Sequence, residues 1–294
     1  MVKSFISYIF YEKRYSPTTI SSYKNDLIQF QAFLSECYAL ENPEKADFNM
    51  IRAWLVQLTE QDYNPRSINR KIATLKSYFK FLVKKGVLEI NPTLRVKTLK
   101  TARKSPTFVE EDKLLQVLNQ VQFEDNFQDL RSQLILEILY GTGIRLAELM
   151  DLRWPAIDFA NKLVKISGKG NKERLIPVHD TLLNLIKKYE LIKRHHFEGK
   201  LKHDYLIVSD SGGLSYPMLV YKTVKKYLSL VTTQDKKSPH VLRHSFATHL
   251  LNKGADLNAI KELLGHSSLN ATQVYTHNSL KKLKDVFDQA HPKA

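Results

Sequence analysis

Cysteine is almost absent: Cys37 stands alone, which excludes an internal disulfide and fits a reducing compartment. No Cys/His cluster has zinc-ligand spacing, so neither a metal nor any other cofactor is expected. No apolar run approaches the ~20 residues that span a bilayer. The short patch Phe5 to Phe10 is followed by Lys13 and Arg14 with no small-residue cleavage site, so it reads as an amphipathic helix rather than a signal peptide. Acids are also scarce. Thirty Asp and Glu stand against 45 Lys and Arg, a net charge of +15. An excess of that size points to a polyanionic partner, most often nucleic acid. A soluble, cytoplasmic and nucleoid-associated protein without membrane contact is the expectation.

What is present divides into two parts. A chain of 294 residues has room for two domains, each with its own core. Residues 66–104 hold twelve Lys or Arg and one acid, Glu89. Ser16-Pro17 opens a helix with Ile20, Tyr23, Leu27, Phe30 and Leu34 at helical spacing. Another helix is expected around Met50 to Gln61. Asn64-Pro65 opens a further one, with Ile68, Ile72, Leu75, Phe79 and Leu82 on one face and Arg66, Arg70, Lys80 and Lys84 opposite. Those four cations are the candidate DNA contacts, because solvated faces ordinarily mix signs and this one has few acids.

Asn91-Pro92 and Ser105-Pro106 bracket a basic linker, 91–107. Beyond it, helices are expected at 110–120, 127–140, 145–151, 180–194, 217–230, 239–251, 256–264 and 268–276. Leu163 to Ile166 and Leu175 to Val178 flank a polar turn and read as a β-hairpin, and Tyr205 to Val208 reads as a short strand. The fold expected is mainly α in two domains. Residues 1–90 form four to five helices, and residues 108–294 form a mixed α/β, mostly helical domain with a small antiparallel sheet. A tail helix at 279–290 carries Leu280, Leu283, Val286 and Phe287 on one stripe.

Six residues of the second part carry chemistry: Arg145, Lys169, His240, Arg243, His266 and Tyr275. Two guanidiniums can cradle a phosphate, two imidazoles can move or share protons, an ammonium can protonate a leaving oxygen, and a phenol can attack. Fixed cations are the main requirement for attack on a phosphodiester, whose oxygens gain charge in the transition state. Singly, each residue has an ordinary structural reading. Arg145 can pair with Glu148, His240 can cap its helix, His266 can fill a turn after Gly265, Lys169 can decorate a hairpin tip, and Tyr275 can pack.

Together the strings are distinctive. Gly141-Thr-Gly-Ile-Arg145-Leu-Ala-Glu-Leu149, Ser167-Gly-Lys-Gly-Asn-Lys-Glu-Arg174, His240-Val-Leu-Arg-His-Ser-Phe-Ala-Thr-His249 and Leu264-Gly-His266 through Tyr275-Thr-His277 resemble the tyrosine recombinases of the phage integrase family, in particular the bacterial Xer type. The resemblance covers almost the whole chain and implies an N-terminal core-binding (SAM-like) domain and a catalytic domain. It implies Tyr275 as nucleophile forming a 3′-phosphotyrosine, Arg145 and Arg243 on the phosphate oxygens, and Lys169 as acid for the 5′-oxygen. His240 would be the acid/base partner, and His266 would hydrogen-bond the phosphate or orient its neighbours.

It further implies a double-stranded recombination site, a homo- or hetero-tetramer with itself or a paralogue, and room for a DNA translocase as accessory partner. The tail helix would dock on a neighbouring protomer. Chromosome-dimer resolution is the favoured role, with a mobile-element integrase, a type IB topoisomerase, a non-enzymatic DNA-binding protein and a metal-dependent nuclease as rivals.

Overall fold

The computed structural model of the chain describes residues 1–101, 107–168, 172–265, 284 and 287–290. It forms two compact units, Met1–Lys104 and Ser105–Ala294. Both are mainly helical, and the one sheet among the described residues has three antiparallel strands.

The first unit packs α1 (Val2–Tyr11), α2 (Pro17–Tyr38), α3 (Phe48–Glu60) and α4 (Pro65–Lys84), with a 3₁₀ turn at Pro43–Lys45. Its helices start where the sequence supplies caps. Ser16 Oγ accepts from Thr19 N at 3.3 Å, Asp47 from Met50 N at 2.8 Å, and Asn64 from Arg66 N at 2.9 Å, and prolines 17 and 65 take the first helical positions. The apolar stripes meet in one core: Phe5 and Ile9, Leu27 and Phe30, Ile51 and Trp54, and Ile68, Ile72, Phe79 and Leu82 are all buried.

The stretch after Asn91, expected as linker, is held on this unit as far as Leu99. Thr93 and Val96 are buried, and Asn69 exchanges two hydrogen bonds with the Leu99 backbone, at 2.9 and 2.8 Å.

The second unit is built round α6 (Phe127–Thr142), preceded by α5 (Glu111–Gln120) and followed by α7 (Leu146–Met150). Leu134 to Tyr140 are buried without interruption, Glu137 included, so this stretch of α6 is enclosed on every side. Strands β1 (Ile157–Asp158), β2 (Leu163–Ser167) and β3 (Glu173–Pro177) follow in sheet order, with Val164 opposite Ile176 and Ile166 opposite Arg174. The chain continues through α8 (Asp180–His196), α9 (Pro217–Leu228), α10 (Pro239–Asn252) and α11 (Leu257–Leu264).

One expectation about this unit needs correction. Tyr205 to Val208 is not a strand; it makes isolated bridges, Arg153 to Tyr205 and Val208 to Leu214, and side chains take carbonyls that a ladder would use, Lys193 donating to Tyr205 O at 3.0 Å and Arg131 to Val208 O at 2.9 Å. The described part of the tail packs on its own unit. Phe287 and Ala290 belong to the core, Phe287 stacks on His179 at 4.8 Å, and Lys284 donates to Asn161 O at 2.9 Å. The expected helix 268–276 and tail residues Leu280, Leu283 and Val286 lie outside the described residues.

Candidate active site

Three helix ends form the site. Helix α6 stops at Gly143, whose φ of +62° is left-handed backbone; a Cβ there would come within 2.4 Å of the Phe246 ring and 2.9 Å of the Leu264 side chain. Glycine is therefore needed both for conformation and for space. The chain re-enters helix at once, with Arg145 as N-cap of α7. Glu148, three residues on, accepts the Arg145 N–H at 2.8 Å, half of a capping box. Helix α11 stops at Gly265, also left-handed at φ +66°.

The last carbonyls of α11 are taken up by arginines in succession. Arg174 Nε donates to Leu263 O at 2.7 Å, Arg243 Nη2 to Leu264 O at 2.6 Å, and Arg145 Nη2 to Gly265 O at 3.1 Å. A helix C-terminus exposes unpaired carbonyls and the negative end of the helix dipole, so three cations suit it. Arg243 also donates from Nη1 to Gly143 O at 2.6 Å, bolting the end of α6 to the end of α11.

One carboxylate sits among them. Glu148 accepts from Arg145 Nη1 at 2.8 Å and, bidentately, from Arg174 Nη1 at 2.9 Å and Nη2 at 2.7 Å. Burial raises the Glu148 pKa, but the hydrogen bonds and charges of Arg174 and Arg145 outweigh it and hold the carboxyl below its usual range. Burial lowers Arg243 to about 10, aided by the charges of Arg145 and Arg174 and opposed by Glu148, so it remains cationic at neutral pH. Three guanidiniums against one carboxylate leave two positive charges in excess. Each guanidinium has five N–H donors. Arg145 and Arg243 spend two apiece in these bonds, which leaves donors for an anion.

Of the six candidates, the structure brings Arg145 and Arg243 together at the end of α11. His240 lies exposed in the first turn of α10, on the same helix as Arg243. Lys169, His266 and Tyr275 lie outside the described residues. Arg174 belongs to the cluster, although sequence reasoning gave it no role there, and Glu148, read from sequence only as a partner for Arg145, binds both arginines. The available signal was register: Arg174 points inward on β3 while Glu173 beside it points out, and an inward arginine needs an acid.

On the first unit, Arg66, Arg70, Lys80 and Lys84 are all exposed on α4. Two of them are ion-paired. Arg70 is paired with buried Asp26, which also receives Lys71 at 3.0 Å and Thr74 at 2.9 Å. Lys84 lies 3.6 Å from Glu12 and over the Tyr8 ring. Arg66 and Lys80 have no ion pair among the described residues.

Comparison with known proteins places this architecture. The chain matches the phage integrase family over residues 107–282 and the phage integrase N-terminal SAM-like domain over residues 2–86. Tyrosine recombinase XerC of Chlorobaculum parvum is 36% identical, covering 100% of this chain and 94% of that protein. Among solved structures, the fold is similar to XerH site-specific recombinase bound to a palindromic difH substrate (TM-score 0.71, 24% identity, 90% of this chain and 78% of that one). It is also similar to a lambda integrase tetramer bound to a Holliday junction (TM-score 0.64, 17% identity, 93% and 79%). The chain belongs to the phage integrase family and, within it, to the Xer-type tyrosine recombinases.

Proposed function

We propose that this site-specific recombinase cuts and rejoins duplex DNA through a phosphotyrosine at Tyr275, and that chromosome-dimer resolution is its task. The observation that carries the reading is the pair Arg145 and Arg243, fixed on successive carbonyls at the end of α11, immediately before His266 in the chain. Planar guanidiniums match the non-bridging oxygens of a phosphodiester and gain strength as charge develops on them.

The phenolic oxygen of Tyr275 attacks phosphorus, and the bond to the 5′-oxygen breaks. The phenol proton passes to His240, needed because an ordinary tyrosine pKa near 10 keeps it protonated at neutral pH. Lys169 gives a proton to the departing 5′-oxygen, and His266 hydrogen-bonds the phosphate. The phosphotyrosine keeps the diester's energy, so the 5′-hydroxyl of a second strand can expel the tyrosine with no nucleotide cofactor.

The XerH complex with difH supports a DNA recombination site as substrate, and the lambda integrase tetramer on a Holliday junction supports assembly of four protomers on DNA. The XerC relatives support the chromosomal role over a mobile-element one. A cytoplasmic protein at the nucleoid is the matching location, and no described helix is long and apolar enough to cross a membrane. Covalent trapping on nicked suicide duplexes from the host's chromosome-terminus region tests the reading. The wild type should yield a DNA adduct and Tyr275→Phe none while still binding; an adduct in that variant would refute the assignment.

A further inference from the structure

Arg174 is the arginine of the cluster least available to a phosphate. Nε is committed to Leu263 O, and Nη1 and Nη2 to the two oxygens of Glu148. Its side chain is 7% exposed. Buried ion pairs of this kind contribute little net stability, since desolvation offsets their attraction, so its placement calls for another explanation.

The explanation lies in how the charges divide. Glu148 Oε1 serves Arg145 Nη1 and Arg174 Nη1 together, and Oε2 serves the Arg145 N–H and Arg174 Nη2. Arg174 occupies the carboxylate in a bidentate fork, which limits Arg145 to a single side-chain bond with it. Without Arg174, the buried carboxylate would hold Arg145 as its remaining cation, and charge and geometry would draw that guanidinium into the fork. The excess charge of the cluster would fall from two to one.

Arg174 also shapes the backbone around the cradle. A Cβ at Gly265 would lie 3.0 Å from Nη1 and 3.3 Å from Cζ, so the guanidinium packs directly on the turn that leads to His266. Gly168, which precedes Lys169 in sequence, abuts the same ion pair: a Cβ there would lie 3.6 Å from Glu148 Oε1 and 3.8 Å from Arg174 Nη1.

We infer that Arg174 is a positioning residue for strand cleavage, neutralising Glu148 and pinning the end of α11 so that Arg145 and Arg243 keep their charge for the scissile phosphate. This inference rests on the cleavage reading proposed above. It predicts a defect that depends on substrate charge. A methylphosphonate at the scissile position replaces a non-bridging oxygen by methyl and removes the negative charge the cradle must balance.

The test is single-turnover adduct formation on suicide duplexes selected with the wild type, carrying either a phosphodiester or a methylphosphonate. Arg174→Met should slow the phosphodiester by 100-fold or more and the methylphosphonate by less than 10-fold. Arg174→Lys, which restores charge without the fork, should recover at least 10-fold of the phosphodiester loss. Should Arg174→Met fail to fold, Arg174→Lys carries the comparison, with a larger loss on the phosphodiester expected. Equal losses on both substrates, or no loss on either, would overturn the inference in favour of a purely structural ion pair. Absence of any adduct with the wild type would instead strike the cleavage reading itself.

Discussion

Tyr140 and His249 share a buried hydrogen bond, Oη to Nδ1 at 2.8 Å, that ties the last turn of α6 to the last turn of α10. Helix α10 carries His240 and Arg243, and α6 ends at Gly143, whose carbonyl holds Arg243. The bond therefore sets the axial register of the helices that meet at the cradle.

Its histidine gives a pH prediction. Burial depresses the His249 pKa; Glu111 and a backbone bond at Val109 oppose the shift, and Lys253 adds to it. Below the ordinary value of about 6.5, the unfolded chain binds a proton that the folded one resists, so stability falls as pH drops through that point toward the folded value. The melting temperature of the wild type should decline more steeply below about pH 6.5 than that of His249→Gln. Parallel curves would rule His249 out as the source.

Phe287 gives a second prediction. Its ring is 1% exposed and stacks on His179 within the core of its own unit. Truncation to alanine should cost about 3 kcal/mol by loss of transfer energy and creation of a cavity. Urea unfolding measures this, and the loss should not vary with protein concentration. A loss that grew with concentration would mean the contact is made between protomers, as the family resemblance implies.

The contrast shows what sequence could and could not convey. Ser16-Pro17 and Asn64-Pro65 announced helix starts because capping is local chemistry, read within four residues. The hairpin of β2 and β3 was legible for the same reason. Strand β1 was missed, since two residues carry no period. Arg145 and Arg243 were legible through their motifs, whereas the Glu148–Arg174 pair depends on contacts between elements 26 residues apart. An amphipathic stripe such as the tail's specifies that a face is covered and says nothing of which protomer covers it.

Asp26 was invisible in the same way, and it divides the basic face of α4. It lies on α2, is 1% exposed, and binds Arg70 and Lys71, residues distant in sequence. Arg70 thus compensates a buried carboxylate, while Arg66 and Lys80 are exposed and have no ion pair among the described residues. Each phosphate neutralised releases counterions, steepening the fall of affinity with salt by about 0.9 in the log–log slope. Arg66→Ala and Lys80→Ala should each weaken DNA binding across sequences and flatten that slope by about 1. Arg70→Ala should leave the slope nearly unchanged and instead cost about 1 kcal/mol of folding stability, a figure reduced by the exposure of its side chain. Titrations at several salt concentrations, run beside urea unfolding, separate the two outcomes. A slope change for Arg70→Ala equal to that of Arg66→Ala would show that Arg70 leaves Asp26 to Lys71 when DNA is bound.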